Sequence, residues 1–318
     1  MRVVMTPYII DQCGVYSLVS RSHCPICLES YLLTNVRPIG AMMIGATVNR
    51  VPKDGHVIPS DVRSTISTRY KRITKSVNQE FWNSSNEAAH SLYVGSYGRG
   101  TAVEGSDLDV LMVLPRDEYD HYDDLKGDGQ SRLLQAVKES VSSTLSRTDV
   151  RADGQVVVVN YSDGMKFEIL PAFERYENLD PTPHYVYPDT HMGGRWLPTN
   201  PRAEQAAMKD KNGSSRGLLF DTCQHIRYIH NEHFKNYDLS GIVIDSFIYE
   251  AIESWRWTLE GEKGAPAGSY ERHLLDRYNE MIVRGESAPI LWAPGSKQQV
   301  DTRNSYVCLG KVLNYIAG

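Results

Sequence analysis

Residues 95–115 read GSYGRGTAVEGSDLDVLMVLP. The second half, Leu108-Asp109-Val110-Leu111-Met112-Val113-Leu114, is aliphatic and β-branched, preceded by Gly-Ser and closed by Pro115, which is the pattern of a buried strand. Residues two apart on a strand share a face, so Asp107 and Asp109 point the same way with their carboxylates a few Å apart. Two like charges that close repel unless a cation lies between them, and hard carboxylate oxygens suit Mg²⁺ or Mn²⁺. The first half, GSYGRGT, offers backbone N–H groups that no bulky side chain covers, as a phosphate cradle requires. Metal carboxylates beside a phosphate loop point to phosphoryl or nucleotidyl transfer. The alternative is a Gly-rich hairpin with two solvent-facing aspartates.

The whole chain sets the bounds. Its 318 residues suffice for one large domain or two lobes around a cleft, and 41% hydrophobic with 23% charged residues is ordinary for a globular protein. A net charge of −5 argues against an obligate nucleic-acid coat, though not against a local basic face. No apolar run is long enough to span a membrane and no secretory leader pattern opens the chain. Five cysteines without framework spacing fit a reducing cytoplasm. Residues 1–57 read as an N-terminal extension, poorly ordered or upstream of a true start at Met42 or Met43. Within it, Cys24 and Cys27 with His23 and Cys13 lack a second ligand pair at zinc-finger spacing.

From Ser60 to about Trp82, apolar residues fall at Val62, Ile66, Tyr70, Ile73, Val77 and Phe81. These helical steps predict a long amphipathic helix capped by Ser60 or Asp61, with a basic outer face at Arg63, Arg69, Lys71, Arg72 and Lys75. A short strand at SLYV leads into the Gly-Ser loop, and residues 131–146 predict a second amphipathic helix. GQVVVVNYSDGMKFEILPAF alternates and turns at Ser162-Asp163-Gly164, which predicts a β-hairpin. Glu168 stands among apolar residues in its second strand. A buried carboxylate there is costly unless paired or metal-bound, so strand pairing beside Asp107 and Asp109 is expected, with a solvent-facing edge residue as the alternative. YPDTHMGGRWLPTNPRAE reads as a Gly/Pro-rich connection, and the sequence beyond it as mainly helical.

The pattern G-S-x-x-x-x-T-A…S-D-x-D, a single carboxylate in an apolar strand, then W-x-x-T-N-P before a helical half, resembles the bacterial cGAS/DncV-like nucleotidyltransferases (CD-NTases) of the DNA polymerase β-like superfamily. The likeness covers about residues 58–318. It implies an α+β, bilobed fold: a catalytic lobe at 58–195 with a mixed β-sheet and a long spine helix, and a helical C-terminal lobe at 196–318. It also implies site roles. Gly95 and Ser96 match the residues that hold the donor triphosphate. Asp107, Asp109 and Glu168 match the three metal-binding carboxylates, with Glu168 helping to deprotonate the acceptor hydroxyl. Arg227 falls where many relatives place a donor-phosphate Lys or Arg, although Ile229 and His230 depart from the residues that usually follow. Thr101 supports the loop, and Tyr97, Tyr185 and Tyr187 are candidate base-stacking platforms.

What the resemblance implies is an Mg²⁺- or Mn²⁺-dependent synthase that makes a cyclic di- or trinucleotide from ATP, GTP, UTP or CTP in anti-phage (CBASS) signalling and acts on a downstream cyclic-nucleotide-activated effector. The alternative within the same fold is a template-independent RNA-tailing or linear-oligonucleotide enzyme; a third reading is an inactive sensor, which the intact Asp107, Asp109 and Glu168 oppose. Some relatives work beside ubiquitin-like ligases, for which the terminal Ala317-Gly318 is a candidate handle. Val312, Leu313 and Ile316 are expected to anchor the helical turn before it.

Overall fold

The computed structural model describes residues 46–49, 57–177, 180–283 and 288–318. The Cys13, His23, Cys24 and Cys27 group lies outside them. In chain order the elements are β1 Thr47–Val48, α1 Ser60–Phe81, β2 Ser91–Tyr93, α2 Gly95–Gly98, β3 Leu108–Val113, α3 Arg116–Asp123 and α4 Gly129–Thr144. Then come β4 Asp149–Asp153, β5 Val156–Asn160, β6 Lys166–Glu177, β7 Asp180–Asp189 and β8 Arg195–Thr199. The second half holds α5 Pro201–Ser214, α6 Leu218–Ile229, α7 Gly241–Ala251, β9 Arg256–Trp257, α8 Ser269–Val283, β10 Leu291–Trp292, β11 Gln299–Val300 and α9 Tyr306–Ala317.

The sheet is mixed. β3 is antiparallel to β2 and parallel to β6, and β6 is antiparallel to β5, which is antiparallel to β4. Strand β6 carries the architecture. One side pairs with β3 throughout residues 167–172, while the other side pairs with β5 at residues 166–169 and with β7 from Phe173 onward. Pro171, which cannot donate to a ladder, falls where β6 changes partner on that side. The Gly/Pro-rich stretch expected to be a connection is instead the β7–β8 hairpin, turning through a short 3-10 segment at His191–Gly193. Its prolines hid it, because proline usually argues against a strand.

Period-two alternation divides the sheet into two faces. Leu108, Val110 and Met112 of β3 and Phe167, Ile169 and Phe173 of β6 pack with Ile66, Ile73 and Val77 of α1 and Leu133, Leu134, Val137 and Val141 of α4. Each such fully buried aliphatic or aromatic side chain contributes roughly 1.5–3 kcal/mol. The opposite parity, Asp109 and Leu111 on β3 and Glu168 and Leu170 on β6, is left for the other face. The helical spacing of α1 is as the sequence predicts, but its N-cap is Pro59, with no side-chain cap from Ser60 or Asp61. Arg69 on its outer face forms a two-pronged pair with Asp163 in the hairpin turn.

The helical half has its own core, built by Leu219, Cys223 and Ile226 of α6, Ile244, Phe247 and Ile248 of α7, Leu274 of α8 and Leu309, Val312 and Leu313 of α9. Ile316 packs against the same core, so the expected anchoring residues do anchor α9. Asn200 caps α5, its Oδ1 accepting from Ala203 N at 3.1 Å with Pro201 at the first helical position. β1 pairs with β9, so residues 46–49 join the helical half rather than the sheet.

Candidate active site

The register between β3 and β6 builds the site. Asp109 lies directly across from Glu168 on adjacent parallel strands. Asp107 immediately precedes β3 and Lys166 opens β6, so four charged residues occupy the corners of one patch. Lys166 Nζ is 2.6 Å from Asp107 Oδ2 and 2.9 Å from Glu168 Oε1. Burial, reinforced by Glu168 and Asp107, pushes the Asp109 carboxyl up to about 7, against the opposing pull of Arg99 and Lys166. Partial burial works against the Lys166 ammonium, yet Asp107 and Glu168 hold it charged, with its pKa pushed up to about 12.

The loop before β3 reaches this patch through glycine. Residues 95–98, expected to be loop, form one helical turn, α2. Gly95 adopts a left-handed φ of +58° and lies against Asp109: a Cβ there would fall 1.7 Å from Asp109 Oδ2. Val94 N donates to Asp109 O at 2.8 Å, which ties the turn to β3. The turn is closed by Thr101 N and Ala102 N, both donating to Ser96 O at 2.9 and 3.2 Å.

A cavity of about 580 Å³ lies between this face and the helical half. Gly95, Ser96, Asp107, Asp109 and Glu168 line it from the sheet side, with Gln155, Tyr187 and Thr199 farther along and Arg227, His230 and Asn231 from the helical side. His230 begins a π-helical turn, His230–Phe234, that continues α6. Such turns recur at functional sites because they re-aim side chains at a helix end.

Behind the cavity wall is a buried ionic network that the sequence reading did not find. Asp245 on α7 is fully buried. Its Oδ2 accepts from Arg99 Nε at 2.8 Å and from Thr101 Oγ1 at 3.0 Å, and its Oδ1 is 2.8 Å from Arg227 Nη1, off the hydrogen-bond direction. Arg99 also donates to Glu204 Oε2 at 3.0 Å. Although burial opposes it, Arg227 and Arg99 hold the Asp245 carboxyl below the usual carboxylate range. Arg99 follows α2, whereas Asp245, Arg227 and Glu204 stand on α7, α6 and α5. The network therefore fixes the glycine turn against the helical half.

Five of the six residues singled out from sequence converge on one patch; Arg227 is set apart. Its Nη1 and Nη2 also donate to Cys223 O at 3.2 Å and Gly241 O at 2.9 Å. The guanidinium is buried and pillars α6 against α7 while touching the cavity wall. Thr101 supports the turn. Of the tyrosines, Tyr185 is fully buried with its hydroxyl accepting from Arg202, and Tyr97 packs on Tyr93, so only Tyr187 lines the cavity.

Residues 43–212, more than half of the chain, match the family model of the second messenger oligonucleotide or dinucleotide synthetase (SMODS) domain. The chain belongs to this family. It is a CD-NTase and a nucleotidyltransferase. Among curated protein sequences, none matches significantly. Solved structures match over most of their length. The Elizabethkingia meningoseptica CdnE cyclic dinucleotide synthase, solved with GTP and Apcpp, is 14% identical over 79% of this chain and 89% of its own, with a TM-score of 0.55. The Bradyrhizobium diazoefficiens CdnG, in complex with GTP, is 13% identical over 82% and 85%, TM-score 0.55. The Rhodothermus marinus CdnE c-UMP-AMP synthase, with Apcpp and Upnpp, is 12% identical over 84% and 95%, TM-score 0.55. Identities this low speak for the fold alone, which agrees with the mixed sheet and helical half of this CD-NTase.

The residues fit a divalent cation by donor chemistry. Three carboxylates and no sulfur or imidazole make a hard oxygen set suited to Mg²⁺ or Mn²⁺. Asp109 is disfavoured as an anion by burial and then by Glu168 and Asp107, and a divalent cation would relieve that repulsion. Among the described residues no three such side chains already converge as a metal cage. Lys166 takes two of the oxygens concerned.

Proposed function

We propose that this CD-NTase is a metal-dependent synthase that joins nucleoside triphosphates into a cyclic di- or trinucleotide, a second messenger for a downstream effector in anti-phage (CBASS) signalling. The observation that carries this reading is the Asp109–Glu168 pair with Gly95 seated on Asp109, at the floor of a cavity large enough for nucleotides. Support comes from the family and from relatives of the same fold that are named as cyclic dinucleotide synthases and were solved with nucleotides.

In this reading Gly95 and Ser96 hold the donor triphosphate through backbone N–H groups, since no side chain at position 95 bars the approach. Asp107, Asp109 and Glu168 would hold Mg²⁺ or Mn²⁺. The ion would supply charge neutralisation for the triphosphate and activation of the acceptor hydroxyl. The acceptor oxygen bonds to the α-phosphorus as the bond to pyrophosphate breaks, and its proton passes to a carboxylate of the trio. Alignment of acceptor and donor by the cavity walls provides much of the rate, since the protein has little covalent chemistry to perform. Tyr187, on the wall beside Gln155 and Thr199, is the candidate stacking surface for a base. A second round on the linear intermediate closes the ring.

The test is incubation with the four NTPs and Mg²⁺ or Mn²⁺, phosphatase treatment, and mass analysis. A phosphatase-resistant cyclic product is expected. Open oligomers or extended RNA alone would instead support a tailing or linear-oligonucleotide enzyme.

A further inference from the structure

Lys166 takes no part in the reading above, yet its ammonium occupies the electrostatic centre of the patch. It satisfies Asp107 and Glu168 at once, at 2.6 and 2.9 Å. A cation between two carboxylates is what this acid-rich corner requires. The two arginines nearest the cavity, Arg99 and Arg227, are already committed to Asp245 and Glu204. Lys166 is therefore the ammonium that offsets part of the charge on Asp107 and Glu168 when no metal ion does.

The side chain also has an alternative place to go. A second cavity of about 280 Å³ adjoins the site, lined by Val62, Ile66, Val103, Met165, Glu104 and Lys166 itself. Glu104 is exposed and forms no ion pair to a described residue. The flexible four-carbon stem of a lysine can move a compact charge between such positions by rotamer changes alone.

We propose that Lys166 is a movable internal counter-cation. It bridges Asp107 and Glu168 while the site lacks metal, and turns into the adjoining cavity toward Glu104 when a divalent cation takes those carboxylates. This rests on the metal-dependent reading above. A free metal ion must then displace an ammonium already in place and binds weakly. A metal ion arriving with a triphosphate brings negative charge that offsets the displaced lysine, so metal and nucleotide enter together.

The test is Mn²⁺ binding to the full chain without nucleotide, followed by electron paramagnetic resonance. Lys166→Gln, which keeps a polar end on a slightly shorter stem without charge, is expected to bind Mn²⁺ about tenfold tighter than the native chain. Lys166→Arg, which keeps the charge, should stay close to native. Adding a non-hydrolysable ATP analogue should narrow the gap between native and Lys166→Gln. Equal or weaker binding by Lys166→Gln, or Lys166→Arg binding as tightly as Lys166→Gln, overturns the proposal while leaving the metal site standing. Asp109→Asn separates the other failure. If Asp109→Asn combined with Lys166→Gln binds as tightly as Lys166→Gln alone, the metal lies elsewhere and both readings fall.

Discussion

Gly95 and Asp109 are in direct backbone-to-carboxylate contact: a methyl group at position 95 would lie 1.7 Å from Asp109 Oδ2 and 2.6 Å from Asp109 Cγ. Gly95→Ala forces the Asp109 carboxylate out of its place beside Glu168, because the atoms a new methyl would meet are Asp109 Oδ2, Cγ and Cβ. The substitution also forces an L-residue into left-handed backbone at a cost of about 1–2 kcal/mol. The expected outcome is a folded protein of slightly lower melting temperature whose turnover falls on the order of 10²-fold, as misplacement of a reacting group by about 1 Å produces. Product yield and circular dichroism measured together check it. Wild-type turnover would mean that the glycine turn does not contact the reaction.

Asp109 should leave a signature in the pH dependence of stability. Its carboxyl is raised from 3.8 to about 7 by burial, Glu168 and Asp107. Between those values the folded chain keeps a proton that the unfolded chain releases. The contribution of this group to stability is therefore highest at the acid end and falls as pH rises toward 7, with a ceiling of a few kcal/mol. Asp109→Asn removes that slope. In EDTA, its melting temperature should exceed the wild type's at pH 7.5 by several degrees and match it more nearly at pH 5, while product formation is abolished throughout. Parallel melting curves across this range would show that Asp109 is not held as the geometry implies.

Much of this site was legible in the sequence because strand alternation is a local signal. Asp107 and Asp109 at spacing two, the glycines before them, and Glu168 in an apolar strand all follow from period two. Lys166 stands at the same spacing from Glu168, and that parity was the signal that could have found it. Its partner Asp107 depended on the register between strands more than fifty residues apart, which no local pattern fixes. Asp245 carried a signal too, an acid flanked by the apolar residues of GIVIDSFI. Its partner Arg99 comes from the glycine turn 146 residues earlier and is found only by tertiary packing. The β7–β8 hairpin stayed hidden because Pro188 and Pro198 sit inside its strands.

Asp245 is the pivot of the network behind the cavity, and neutralising it leaves Arg99 with Glu204 alone and Arg227 with backbone carbonyls for its buried charge. Asp245→Asn should cost about 3–5 kcal/mol, the range for breaking a buried charge pair by removing one partner. Thr101→Val deletes one hydroxyl, which donates to the same oxygen at 3.0 Å and lies 3.4 Å from Ser96 O, and should cost about 1–2 kcal/mol. Urea denaturation of both variants tests the ranking. Asp245→Asn should also raise the KM for NTPs more than Thr101→Val does, because Arg99 loses one of the two carboxylates that fix it beside the glycine turn. Equal stabilities for the two variants would show that Asp245 carries no more than a single hydrogen bond.

Tyr185 and Tyr187 stand two apart on β7, yet the cavity reaches only one of them. Tyr185 is sealed in the core with Val94, Leu111 and Ala172, and its hydroxyl accepts from Arg202 Nε at 2.8 Å. Tyr187 lines the cavity beside Gln155 and Thr199. Base–aromatic stacking is worth roughly 1–3 kcal/mol per base, so Tyr187→Ala should weaken nucleotide binding by about 5- to 150-fold while leaving the fold nearly intact. Tyr187→Phe, which keeps the ring, should restore binding. Tyr185→Ala should do the opposite: it opens a cavity in the core, with a loss of about 3–5 kcal/mol typical of removing a buried aromatic ring, and the protein that remains folded should bind nucleotide as the wild type does. Calorimetric titration with a non-hydrolysable NTP, paired with thermal melts, separates the two. If Tyr187→Ala and Tyr187→Phe lose binding equally, the hydroxyl rather than the ring face makes the contact; if neither loses any, the base stacks elsewhere in the cavity.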